Sequence, residues 1–182
     1  WKRLLEEYEK KYPEEAGRLQ EFLDRDIQAK LDAIPDFWKK GEKPEATRSI
    51  SGQVIQTIKE AIPTLIGGSA DLAPSNKTHM DGVTDFSAEH PEGRNLHFGV
   101  REMAMSAIAN GMLLHGGCTT YCATFFVFSD YTKPMARLAS IMGIPQIFVF
   151  THDSIGVGED GPTHEPVEQL AMFRAMPNFH AY

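Results

Sequence analysis

The segment His152-Asp153-Ser154-Ile155-Gly156-Val157-Gly158-Glu159-Asp160-Gly161-Pro162-Thr163-His164 sets two imidazoles and three carboxylates on one glycine-rich loop. Such groups can carry protons, read hydroxyls or hold an anion, and their crowding favours a site over side chains that merely satisfy loop backbone. Gly156, Gly158 and Gly161 match the GxGxxG dinucleotide fingerprint, but Pro162 rather than a helix follows, and no acidic residue stands about 20 positions on. His152, Asp160 and His164 could ligate a metal from a loop, although no helical HxxxH or CxxC pattern supports it. Glu102 opens a long apolar stretch, where a carboxyl group is poorly solvated and easily protonated. A neutral carboxylic acid in an apolar wall can donate to a ring nitrogen; its plainer role is to complement a helix dipole. Phe125, Phe126, Phe128 and Tyr131 could form a slot for a flat ring or simply core. Gly67-Gly68-Ser69-Ala70-Asp71 approaches a hydrolase nucleophile elbow and fails at its last letter, where Asp71 replaces glycine.

Positioning these groups requires strands whose carboxyl ends converge, because ligands of open α/β sheets sit there. Apolar helices alternate with short β-rich runs from Ala46 onward, the pattern of a mostly parallel sheet with helices on both faces. Ile50, Val54, Ile55, Ile58 and Ile62 make one helical face, and Pro63 separates it from a strand over 64–67. A strand over 97–100 runs into a helix from Arg101. Tyr121 to Phe128 reads as a strand and its outlet, followed by a helix carrying Met135, Leu138 and Ile141. Gln146 to Thr151 has the apolar character of a wholly buried strand. A helix with Pro166 in its first turn and a last strand over 179–182 complete the series. Residues 1–45 form a charged helical and linker segment, with an amphipathic helix over 14–27 through Leu19, Phe22, Leu23 and Ile27 and a linker marked by Gly41, Lys43 and Pro44. The sheet domain spans 46–182.

With 18 basic and 25 acidic side chains, the formal charge is −7, and 42% of residues are apolar. Only eight of the basic residues are Arg and no basic run exceeds two, so nucleic acid and anionic membrane are poor partners. Met103 to Ser129 carries no charge, but its polar and glycine interruptions make it a buried helix, a turn and a strand rather than a membrane span. Cys118 and Cys122 are too few for a disulfide scaffold, which fits a reducing, cytoplasmic setting. The chain opens with Trp1 and reads as part of something longer.

Four segments now carry a specific likeness: Gly67 to Asn76 (GGSADLAPSN), Arg94 to Glu102 (RNLHFGVRE), Thr124 to Tyr131 (TFFVFSDY) and Thr151 to His164 (THDSIGVGEDGPTH). From Ala46 on, the chain closely resembles the central, pyrimidine-binding domain of transketolases, homodimeric enzymes of the pentose phosphate pathway and Calvin cycle. The resemblance implies that Glu102 hydrogen-bonds the aminopyrimidine of thiamine diphosphate, that Phe125, Phe128 and Tyr131 surround that ring, and that Asp71 lies near the cofactor and the subunit interface. It further implies that Arg48, Ser75 and His152 hold the sugar phosphate, that Asp160 reads a hydroxyl, and that His164 contacts the reacting end. The implied reaction transfers a two-carbon ketol unit from a ketose phosphate to an aldose phosphate, in the cytoplasm or a plant's plastid stroma.

Two departures stand out. Glu165 occupies a position where the family usually has Gln. No GDG-type motif is present, so the diphosphate and its magnesium or calcium ion are expected on a preceding domain, and a further phosphate-binding Arg is expected beyond Tyr182. The isolated chain is therefore expected to be inactive, its site completed by another domain across a dimer interface. Other readings are 1-deoxyxylulose-5-phosphate synthase, against which the two imidazoles and Asp160 of the loop speak, and a non-catalytic partner-binding module of the same fold.

Overall fold

The computed structural model describes residues 1–24, 26–35, 41 and 43–182. Three helices come first: α1 (Lys2–Lys11), α2 (Pro13–Asp24) and α3 (Ile27–Asp32). The expected single helix over 14–27 is broken, because Asp26 accepts a hydrogen bond from the Ala29 amide at 3.2 Å and so starts a new helix. A short acidic side chain is worth more at such a cap than inside a helix. Ala16 is the one buried residue of α2, whereas Ile27 and Leu31 pack on the sheet domain's core.

The sheet domain runs α4 (Thr47–Ala61), β1 (Leu65–Ser69), α5 (Ala73–Asn76), β2 (Asn95–His97), α6 (Glu102–His115), β3 (Thr119–Phe125), α7 (Ser129–Met142), β4 (Ile147–Thr151) and α8 (Gln169–Arg174). All strand pairs are parallel, in the order β2-β1-β3-β4, with Gly67 opposite Asn95 and Tyr121, and Tyr121 opposite Ile147. Successive strand residues face opposite sides, and β3 displays the consequence. Tyr121 joins Ile55, Ile62 and Leu65 in a cluster under α4, while Cys122 joins Met105 and Ala109 under α6. Helices thus cover both faces, as the alternating pattern predicts.

Two motif segments turn out to hold the scaffold. A Cβ on Gly68 would lie 1.8 Å from the Leu96 carbonyl oxygen and one on Gly67 2.2 Å from that of Tyr121, so both positions of this central strand need glycine. Arg94 donates to the carbonyls of Lys59 at 3.2 Å and Leu65 at 3.3 Å, capping the end of α4. Asn95 staples the preceding loop through Met80 and Val83.

Several boundaries differ from expectation. The strand expected over 97–100 ends at His97, because Gly99 turns left-handed at φ 65° and Val100 points into solvent. The strand ending at Thr151 is half-exposed rather than wholly buried, since β4 pairs with β3 alone and Ile147 is 46% exposed. The helix near Pro166 starts only at Gln169, whose side-chain oxygen accepts from the Val167 amide and closes the preceding turn. No strand forms over 179–182; Phe179 instead stacks on Phe173 with ring centroids 4.8 Å apart. The uncharged stretch from Met103 resolves into α6, a turn at Gly116 and Gly117, and β3. Among the described residues no helix is long and apolar enough to cross a membrane.

Candidate functional site

Because every strand is parallel, the segments after Ser69, His97, Phe125 and Thr151 all emerge at one edge of the sheet. The crossover from β1 runs to β2 on one side, and β3 returns to the other, which makes the β1–β3 boundary the switch point where such sheets open a crevice. Asp71 leaves β1 in a left-handed turn at φ 64°, and His152 leaves β4 at φ 53°. Non-glycine residues adopt this conformation sparingly, and it persists where surrounding contacts enforce it.

An aromatic ladder runs out from the end of β3. The His152 ring lies on Phe125 with centroids 3.7 Å apart; Phe125 stacks with Phe128 at 6.0 Å and Phe128 with Tyr131 at 6.4 Å. His164 meets Phe128 edge-on at 5.3 Å and Phe125 at 6.5 Å. Phe125 comes from the end of β3, Phe128 from the 3-10 turn Phe126–Phe128 and Tyr131 from the first turn of α7, so the ladder follows the chain from strand into helix. Both imidazoles reach it from the loop after β4.

His152 is held from two sides. Arg48, in the first turn of α4, approaches Nε2 at 2.8 Å, and the Thr151 hydroxyl approaches Nδ1 at 2.8 Å. Burial lowers the pKa of the ring below the ordinary imidazole range, and the Arg48 cation adds to this against the opposing charges of Asp160 and Asp153. Behind the ring, Thr151 donates to Asn76 Oδ1 at 2.5 Å, Asn76 Nδ2 donates to Ser69 Oγ at 3.1 Å, and Ser69 pairs with Thr78 at 2.7 Å. All four of these residues are buried.

Glu102 is the first residue of α6 and only 8% exposed. It lines a groove of about 590 Å³ with Arg101, Met103, Ala104, Ala107, Tyr131 and Met135. Its main-chain carbonyl accepts from Ser106, but among the described residues its carboxyl group has neither a hydrogen bond nor an ion pair. A shielded carboxyl with no protein partner is placed to meet a ligand.

The structure therefore brings Arg48, His152, Phe125, Phe128, Tyr131 and His164 into one contact chain, with Glu102 beside Tyr131 and Asp160 within electrostatic reach of His152. Asp71 and the half-buried Ser75 share the outlet of β1, but among the described residues neither side chain makes a hydrogen bond or ion pair with the others. Among those residues no group of three or more His, Cys, Asp and Glu is placed to hold a metal ion. Burial pushes the Cys122 thiol up to about 12, which leaves it inert. Sequence reasoning passed over Asn76 and Thr151, although both lie inside the quoted segments. Gln169 was missed as well: it donates to both Asp130 carboxylate oxygens at 3.2 Å and ties the end of the His164 loop to α7. Only their simultaneous burial and polarity, which no periodicity reveals, would have marked them.

Residues 43–182 match the family model "Transketolase, pyrimidine binding domain". A transketolase of Staphylococcus aureus strain MW2 is 55% identical over 99% of this chain and 27% of its own length. The crystal structure of transketolase from Campylobacter jejuni superposes with a TM-score of 0.82 at 47% identity, over 98% of this chain and 26% of that one. A structure described as "Split gene transketolase, inactive beta4 tetramer" superposes more loosely, with a TM-score of 0.56 at 25% identity over 75% of this chain and 42% of that one. The chain thus spans about a quarter of the length of the curated relatives it matches. Glu102 in its groove and the imidazoles over the aromatic ladder sit on a domain that a family model covers throughout: the chain belongs to the transketolase family, as its pyrimidine-binding domain.

Proposed function

We propose that this domain forms the pyrimidine side of a ketol-transferring active centre, and that the observation carrying this reading is the Glu102 carboxyl, without a partner among the described residues, in a groove shared with Tyr131. Thiamine diphosphate fits the residues present: a carboxyl group able to hold a hydrogen bond to a ring nitrogen, and aromatic faces on Phe125, Phe128 and Tyr131 for a flat heterocycle. When bound, that cofactor supplies the carbon nucleophile that carries the two-carbon unit. Glu102 holds the ring nitrogen it faces in a hydrogen bond and so fixes the tautomer of that ring. Arg48, Ser75 and His152 hold the sugar phosphate, Asp160 reads a hydroxyl, His164 contacts the reacting end, and Asp71 lies near the cofactor and the subunit interface. Together they fix the ketose phosphate and then the aldose phosphate in reacting orientation, which is the protein's share of the rate.

A divalent metal and the diphosphate belong to another domain in this reading, and a second subunit covers the groove of α6 and α7 in a homodimer. The half-exposed state of Tyr131 supports an incoming partner there, and the inactive tetramer named for the split-gene relative supports inactivity of the chain alone. Reduced cytoplasm or plastid stroma and pentose interconversion follow from the same family reading. Replacing Glu102 by Ala or Gln in the complete enzyme tests it. Ketol transfer between sugar phosphates should fall by a factor on the order of 100 to 10,000 with the cofactor still bound. Unchanged turnover would leave only a non-catalytic module.

A further inference from the structure

We infer that Asn76 and Thr151 are positioning residues that fix the proton of His152 on Nδ1, so that the atom facing the sugar phosphate, Nε2, must gain a proton when the anion binds. This rests on the assignment of Arg48 and His152 to the phosphate, made above, and adds to it the device that sets the ring's hydrogen-bonding state.

Two independent constraints give the same tautomer. A guanidinium has donors only, so the 2.8 Å contact from Arg48 means that His152 Nε2 accepts and holds no proton. From the other end, Asn76 uses its Nδ2 donor on Ser69, which turns Oδ1 toward Thr151. Amide oxygens only accept, so the single hydroxyl hydrogen of Thr151 is committed to Asn76 at 2.5 Å. Thr151 Oγ then accepts from His152, and Nδ1 must carry the proton. The relay is anchored where motion is costly: Asn76 and Thr78 are 0% exposed, Ser69 2% and Thr151 5%.

Geometry adds a second consequence. Asn76 is the last residue of α5, next to Ser75, and Thr151 is the last residue of β4, next to His152. The Asn76–Thr151 hydrogen bond therefore joins the two segments that present Ser75 and His152, making one preorganised cradle out of residues far apart in the chain. Among the described residues the charged and titratable groups facing the ring are Arg48 from α4 and Asp153, Asp160 and His164 from its own loop; Phe125 of β3 covers a face. In this state the neutral ring offers a phosphate only a lone pair. A dianionic phosphate accepts hydrogen bonds, draws Arg48 onto itself and leaves Nε2 to take one proton from solvent. Nδ1–H stays on Thr151, and the ring becomes an imidazolium bonded to the anion at Nε2.

The test uses the complete, cofactor-loaded enzyme. Calorimetric titration with inorganic phosphate at pH 8, in buffers of different ionisation heat, counts protons taken up per anion bound. The unmodified enzyme should take up a clear fraction of one proton. Thr151→Val should abolish most of that uptake, because the freed ring can bind as its other neutral tautomer, and should weaken phosphate binding about tenfold. Its KM for a phosphorylated ketose should rise accordingly, with little change for an unphosphorylated one. Thr151→Ser should restore both the uptake and the affinity. No proton uptake by the unmodified enzyme overturns the inference whether or not any variant folds. Normal uptake and affinity in Thr151→Val overturn it too. Arg48→Ala separates the two levels: if it alone abolishes preference for the phosphorylated donor, the phosphate assignment stands without the relay. If it changes nothing, the assignment itself fails.

Discussion

Glu102 and His152 follow the two edge strands of the same sheet, β2 and β4, and their surroundings are opposites. The Glu102 carboxyl has no partner among the described residues and shares its groove with Arg101, Met103, Ala104, Ala107, Tyr131 and Met135. The His152 ring has both nitrogens engaged, one by Arg48 and one by Thr151, and its face covered by Phe125. A carboxyl group in a groove with no partner among the described residues is open to one that arrives with a ligand. A group satisfied by its own chain costs little but must exchange a partner to bind anything. In the proposed function the first arrangement would select one heterocycle, and the second would serve a substrate that enters and leaves at every turnover.

Supplying the missing partner is the most damaging change. Met135→Lys puts a second cation beside Arg101 into the Glu102 groove, where its ammonium group competes with a ring nitrogen for the carboxyl group. Ketol transfer by the complete enzyme should drop on the order of 100-fold or more, the amount general acid catalysis is worth, and steady-state assays of a folded variant check it. Removing a partner on the other side is milder. Arg48→Ala takes a charge-assisted hydrogen bond of about 1.5–3 kcal/mol, so KM for a phosphorylated ketose should rise roughly 10- to 100-fold with kcat little altered.

Smaller still is a change beneath the relay. Tyr121 donates to the Thr78 carbonyl at 2.6 Å inside the core, and Tyr121→Phe should lower unfolding free energy by about 1–2 kcal/mol without altering phosphate preference. Denaturant titration and donor kinetics together read this out. The subtlest effect is on pH. The His152 pKa is lowered, first by burial and then by Arg48, so the folded ring takes up a proton less readily than the unfolded one. Its contribution is therefore complete above the unfolded pKa of about 6.5 and is lost as pH falls toward the lower folded value. Without sugar phosphate, Tm measured from pH 8 down to pH 5 should fall less in His152→Gln than in the unmodified enzyme.

The segments that resemble the family contain two kinds of residue that letters cannot separate. Gly67, Gly68, Arg94 and Asn95 are as distinctive as Glu102 or His164, yet they serve strand approach, helix capping and loop closure. Conversely, Asn76 and Thr151 look like ordinary loop and strand residues, and their meaning depends on each other across 75 positions. The β4 sequence explains why burial was overestimated: its apolar run suits a strand flanked on both sides, whereas here one side is open. The helix near Pro166 starts later than the proline suggests, because proline permits a helical first turn without requiring one; Gln169 closes the turn instead.

By itself the sequence determined the alternation of strand and helix, the net charge of −7, and the residue types that crowd one loop. Those follow from local periodicity and chemistry, which need no knowledge of what lies across the sheet. Only the tertiary structure decided that Arg48 meets His152, that Glu102 shares a groove with Tyr131, and that Asn76 binds Thr151. Strand order and register set those pairings, because in a parallel sheet every partner is delivered by a crossover whose side and length the residues at its ends do not encode.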